Sequence, residues 1–216
     1  MLAKTNYLTQ VDGSCYYEAE TGTKVLCAVT GPIEPKARQE LPTQLALEIN
    51  VRPAKTVSTT REVNIQDKVR SAITPIIVTH KYPRQLCQIS LQVLQAKEDD
   101  GIYHLFELIS CINATVFALI NAGIALNSIA LGVPIIISKD GEIVTHPSSE
   151  ALRNSKSFHG VVFQIKKNKP CNVLYMDSYG DFSEEDVFTV LHHGEKKVLE
   201  LNSTFREIIK ESMTQV

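Results

Sequence analysis

Hydrophobic and polar positions alternate along the first third of the chain as strands require, then switch to a helical period. Cys15 to Ala19, a Thr21-Gly22-Thr23 turn and the apolar run Val25 to Val29 predict a hairpin, ended by Gly31, Pro32 and Pro35. Leu45, Leu47, Ile49 and Val51 recur at period two, a half-buried strand stopped by Pro53. Thr59 or Thr60 then opens a helix whose stripe is Val63, Ile65, Val69, Ala72, Ile73 and Ile76, with Pro75 kinking or shortening it. Leu86 to Ala96 reads as a strand. About Leu105 to Asn121 reads as a buried helix capped by Gly123. Leu131 to Ser138, Gly160 to Ile165 and Val173 to Met176 predict further strands. Ser183 with Asp186 marks the start of a last helix running to about Lys210.

The order is mixed α/β, and with no repeat or low-complexity linker the expectation is one domain over 1–216. At 44% hydrophobic and 21% charged the composition is that of an ordinary globular chain. The segment Leu108 to Leu126 is apolar, but Ser110, Asn113, Thr115 and Asn121 interrupt it, so a core helix is expected rather than a membrane span. Five scattered cysteines without a C-x-x-C pair predict a reduced compartment and no zinc site. No basic-then-apolar leader opens the sequence, so secretion is not expected and the sequons at Asn113 and Asn202 read as accidental.

Several candidate chemistries fail on spacing. Asp177 to Asp186 has its glycine, Gly180, at the fourth position where a calcium loop needs it sixth, so a turn before a capped helix is expected. His192 and His193 are adjacent on a helix and point about 100° apart. Glu98-Asp99-Asp100-Gly101 reads as a solvated acidic turn, and no nucleophile elbow or phosphate loop is present. The net charge of −2 leaves nucleic-acid contact to local patches. Arg52, Lys55, Arg61, Lys68, Arg70, Lys81 and Arg84 form one such run, and Lys166, Lys167 and Lys169 a second.

Asp12-Gly13-Ser14, Gly22 to Cys27 and Gly31-Pro32 resemble the N-terminal hairpin of RNase PH-like proteins. Pro83-Arg84 through Ala96 resembles that family's central strand, and Asn121 to Ile124 its helix end. The run Gly31 to Pro42 is similar to ring subunits of the eukaryotic RNA exosome. The resemblance implies a two-layer αβ sandwich with internal pseudo-symmetry, placed in a hetero-hexameric ring of related subunits. It implies RNA-binding cap subunits, a separate catalytic nuclease and single-stranded RNA as partners, no membrane, no cofactor, and a nuclear, nucleolar and cytoplasmic location.

Active members of the family cleave RNA from its 3′ end with inorganic phosphate, gripped by a Gly-(Ser/Thr)-Arg turn. The resemblance places that serine and arginine at Glu107 and Leu108, and a carboxylate and an isobutyl group cannot hold phosphate. The family's catalytic Asp falls near Ser157-Phe158-His159, with no acid from Arg153 through Asn172. A non-catalytic scaffold that threads RNA is therefore expected, with Lys55, Arg61, Arg70 and Arg84 on RNA. Glu34, Lys36, Arg38 and Glu40 in the Gly31 to Pro42 segment are expected at a subunit interface; the apolar strands Leu131 to Ile137 and Val161 to Ile165 are further candidates, with core filling expected for at least one of them. The alternative is an active nuclease, phosphate-dependent or with diverged metal chemistry around Asp99, Asp100 or His104.

Overall fold

A computed structural model describes residues 1–55, 57–98 and 102–214. The first sheet is built from β1 (Leu2–Thr5), β2 (Gly13–Glu18), β3 (Lys24–Ile33), β4 (Ala46–Arg52) and β5 (Leu86–Gln95), in the order β1-β2-β3-β5-β4. Only β4 and β5 are parallel, and helix α1 (Thr60–Ile73) makes the crossover between them. A capping box starts α1: the Thr59 side chain accepts from the backbone, and Glu62 reaches back to the Thr59 N–H at 2.6 Å. Pro75 ends it in a short 3-10 turn, Thr74–Ile76, so Ile76 packs from that turn rather than from the helix. Val63 is 51% exposed and is not part of the buried stripe.

Helix α2 (Leu105–Asn121) packs against β2 and β3 on one side and against β6 (Ile129–Ser138) of the second sheet on the other. That sheet has the order β7-β6-β8-β9, adding β7 (Ile143–Val144), β8 (Ser155–Lys166) and β9 (Lys169–Gly180). A short helix, α3 (Ser149–Arg153), precedes β8, and α4 (Glu184–Thr214) closes the chain over β6, β8 and β9. The Ser183–Asp186 cap of α4 is formed, with the Ser183 N–H donating to Asp186 at 2.9 Å. Phe117 of α2 and Phe205 of α4 stack with centroids 3.9 Å apart. Residues 2–5, 143–144 and 149–153 carry too short a pattern to be read from sequence. β9 runs three times the expected length because it is a sheet edge, where Lys169, Asn172 and Asp177 replace an apolar pattern. Asp177 to Gly180 accordingly lies in β9, not in a turn.

Enclosure of α2 decides the polar chemistry around it. From Leu105 through Leu119 every residue is buried, so each polar group needs an internal partner. Asn113 acts as a surrogate strand residue: its Oδ1 accepts from the Gly132 N–H at 2.8 Å and its Nδ2 donates to the Gly132 carbonyl at 3.0 Å. Nδ2 also stands 3.2 Å from the Tyr17 hydroxyl, which ties both sheets to one side chain. At the far end the Ser14 N–H donates to Asn121 Oδ1 at 2.8 Å. Gly13 lies so close that a Cβ there would come within 2.4 Å of the Ala118 carbonyl. The sequons at Asn113 and Asn202 are 2% and 4% exposed, out of reach of a glycan. Leu131, Val133, Ile135, Val161, Val162 and Ile165 are all at most 2% exposed. Both strands fill the core, as expected for at least one of them, and neither is available as a subunit face.

Asn113→Ala strips both Gly132 backbone groups of their partner inside the core. It should cost about 3 kcal/mol in chemical denaturation, because each orphaned buried group carries its own desolvation penalty.

Candidate functional site

The α2 N-terminus, the start of α1 and the centre of β8–β9 meet at one corner. Here the chain direction returns β5 to α2 through residues 96–104. Glu98, expected in a solvated turn, is instead 8% exposed and caps α2: its Oε2 accepts from the Phe106 N–H at 3.0 Å and its Oε1 from the Glu107 N–H at 2.8 Å. Asp99, Asp100 and Gly101 lie outside the described residues. Burial pushes the Glu98 carboxyl up from 4.5 to about 7, the two backbone donors only partly opposing it.

Glu107, one turn into α2, is 2% exposed, and its Oε2 stands 2.7 Å from the Arg61 guanidinium. The same guanidinium donates to Glu62 at 3.1 Å and to the Tyr103 carbonyl at 2.9 Å. Arg61, expected on RNA, is therefore turned inward and spent on ion pairing, which against its partial burial raises its pKa. Leu108 beside it is fully buried in the core. One guanidinium thus faces three carboxylates (Glu62, Glu98, Glu107) where an incoming phosphate dianion would need positive charge.

A second cluster, unread in the sequence, adjoins it. Lys68 Nζ stands 2.5 Å from Asp177, 2.7 Å from His104 Nε2 and 3.1 Å from the Tyr179 hydroxyl. His104 Nε2 is 3.2 Å from the same Asp177 oxygen. Despite partial burial, hydrogen bonds from His104 and Lys68 hold the Asp177 carboxyl below the usual carboxylate range. Asp177 faces Gly160 across the β8–β9 ladder, so a carboxylate does reach this corner, from the neighbouring strand. Phe158 stacks on Tyr179 at 5.2 Å and meets Tyr103 edge-on at 5.3 Å, roofing the cluster with rings. Among the described residues no group of three or more His, Cys, Asp or Glu is placed to hold a metal ion.

The remaining cations divide between two ends of the molecule. Arg52, at the end of β4, and Lys55, three residues on, are exposed, and Arg52 lines an open polar cleft with Asn50, Ser58 and Gln92. Arg70, near the α1 C-terminus, pairs loosely with Asp67 at 3.5 Å, and Arg84 Nε pairs with Glu40 at 2.5 Å. The nine residues from Arg61 to Arg70 span about 14 Å of helix. The basic run in the sequence is therefore not one patch. Glu34, Lys36 and Arg38 are exposed on the surface connection from β3 to β4, while Glu40 is committed to Arg84.

Residues 1–125 match the 3′ exoribonuclease family RNase PH, domain 1. The chain is 50% identical over 215 residues to the exosome complex component RRP46 of Saccharomyces cerevisiae, covering 98% of this chain and 96% of that one. Identity to exosome complex component rrp46 of Schizosaccharomyces pombe is 28%, over 96% and 88% of the two chains. The crystal structure of rice (Oryza sativa) Rrp46 superposes with a TM-score of 0.80 at 24% identity, covering 99% of this chain and 92% of that one.

The raised pKa of Glu98 predicts a specific pH dependence. Below pH 4.5 the group is protonated in both states and its contribution to stability is fully present. Between 4.5 and about 7 the unfolded chain releases the proton first, so the Glu98 contribution to stability falls and is lost above about 7. Urea midpoints of wild type and Glu98→Gln should therefore shift relative to one another in favour of the variant as pH rises through this window. A constant difference would show that the carboxyl does not titrate there.

Proposed function

The chain belongs to the RNase PH family of 3′ exoribonucleases, and on that premise we propose that it is a non-catalytic ring subunit of the eukaryotic RNA exosome. In this reading it holds a place among related RNase PH-like subunits, beneath RNA-binding caps, and hands single-stranded RNA to a separate nuclease in nucleus and cytoplasm. The observation that carries the loss of catalysis is the Glu107 carboxylate, 2.7 Å from Arg61, at the position where the family resemblance puts a phosphate-gripping serine. Rebuilding a phosphate site would require removing a buried acid and releasing a guanidinium already held by three acceptors. Substitution of Leu108 by arginine alone would not do so.

RNA contact in this reading falls to Lys55 with Arg52, both exposed at the same end of the molecule, and it is made to backbone phosphate, independent of base sequence. Arg61 drops out of that surface. Arg70 and Arg84 lie toward the opposite end and would meet RNA only outside this corner. The exposed alternation Glu34, Lys36, Arg38 serves partner choice by charge complementarity, with Glu40 and Arg84 pinning the end of the segment. A second reading rests on the Lys68–His104–Asp177 cluster, which could move a proton in a diverged nuclease.

A reconstituted ring containing this chain as its only test variable separates these readings. Inorganic phosphate should release no nucleoside diphosphates from labelled RNA through this subunit, and His104→Ala should leave RNA decay unchanged. Phosphate-dependent release, or decay lost with His104, overturns the non-catalytic reading. Arg52→Glu/Lys55→Glu should slow passage of a long single strand at low salt and less so at high salt. Lys36→Glu/Arg38→Glu should lower incorporation while the chain stays folded. Unchanged passage or stoichiometry would leave the corresponding surface merely solvated.

A further inference from the structure

The end of the molecule farthest from the α2 N-terminal corner carries an unused charged surface. Lys167 and Asn168 join β8 to β9 with both residues left-handed, φ 51° and 66°. This is the primed-turn geometry that matches strand twist and holds a hairpin tip rigid. Lys166 and Lys169 flank it as a directly paired cross-strand couple. Like charges placed opposite one another destabilise a ladder, and among the described residues no ion pair relieves these. Lys166, Lys167 and Lys169 are exposed without an ion-pair partner, as is Arg206 of α4, which faces the tip across an open cleft of about 390 Å³.

The cleft has an apolar floor, formed by Ile120 at the end of α2 with Leu126, Ile129 and Ile165. Its wall polar groups are already engaged: Ser128 Oγ accepts from Gln164 at 2.8 Å and Asn127 Nδ2 donates to the Pro75 carbonyl at 3.3 Å. No carboxylate and no aromatic ring lines it. A nucleic acid would find cations here, but no ring on which to stack a base. A carboxylate-rich chain would neutralise the rim, and an aliphatic side chain would cover the floor.

We propose that this cleft docks an acidic peptide segment of a partner protein, with one branched aliphatic side chain anchored between Leu126, Ile129 and Ile165. The surface is separate from the corner at Arg61. The 17 residues of α2 put about 25 Å between them, so neither charge set screens the other at physiological salt. Complementary charge sets the approach and the register, and the apolar anchor sets the residence time.

The test uses the full chain and a fluorescein-labelled Asp/Glu-rich peptide with one central leucine, read by anisotropy. The peptide should bind, weakly and with a salt-dependent affinity. Lys166→Glu/Lys167→Glu/Arg206→Glu should weaken it at least tenfold with an unchanged melting temperature, since all three side chains line the cleft and are exposed. Exchanging the peptide's leucine for asparagine should weaken binding about tenfold, the loss expected for one buried aliphatic group. Absence of binding overturns the proposal, as does binding indifferent to either change. A single-stranded oligoadenylate that displaces the peptide at equal concentration would identify the patch as a general anion surface and overturn it too.

Discussion

Helix α2 is enclosed by protein along almost its whole length, and every polar atom it carries must be answered from within the fold. This constraint selects the rest of the architecture. Asn113 can be buried because it closes the ladder of β6, and the half-buried Asn121 accepts from the Ser14 N–H of β2 and from the Asn6 N–H. The first turn of α2 leaves N–H groups that water cannot reach, and Glu98 supplies the acceptor for two of them. Glu107 then adds a second buried acid in the same turn, which only a cation drawn from α1 can offset. Arg61 is that cation. Through it the start of α1, the connection after β5 and the top of α2 become a single packed unit.

The same arrangement supports the proposal that a fold associated with phosphate chemistry persists here without it. A phosphorolytic corner needs unpaired positive charge and donors facing an open volume. Here donors and charge are satisfied internally, and rings from Tyr103, Phe158 and Tyr179 cover what remains. In the proposed reading, groups that catalysis would need unpaired serve stability at this point. Surfaces left over for function are the exposed ones: Arg52 and Lys55 at and just after the end of β4, the β3–β4 connection, and the lysine-tipped hairpin.

Much of the fold was legible because its signals are local. Helix α2 reads from Leu105 to Asn121 in the sequence as in the structure, since an apolar run between His104 and Gly123 admits no other element. The hairpin of β2 and β3 and the Ser183 cap likewise announce themselves within a few residues. The corner did not, because its partners come from distant segments: Arg61 with Glu107, Lys68 with His104, and Lys68 with Asp177 across 109 positions. One usable signal was present. A lone glutamate inside the otherwise apolar stretch of α2 cannot be buried without a cation, and Arg61 was one of the basic residues on the neighbouring helix. Edge strand β9 escaped for the opposite reason, since its ends are exposed and only its half-buried centre, Leu174 to Met176, packs against the core.

The central claim is that the Arg61–Glu107 pair is an anchor of the fold, not a remnant of a binding site. A double-mutant cycle with Arg61→Ala, Glu107→Ala and the combined variant, followed by urea unfolding, measures this directly. The account predicts a coupling of about 2 kcal/mol or more, with the single loss of Arg61 the more damaging because it leaves Glu107 buried beside Glu98 without its guanidinium. Effects that add to within about 0.5 kcal/mol would mean the two side chains are independent and would contradict it.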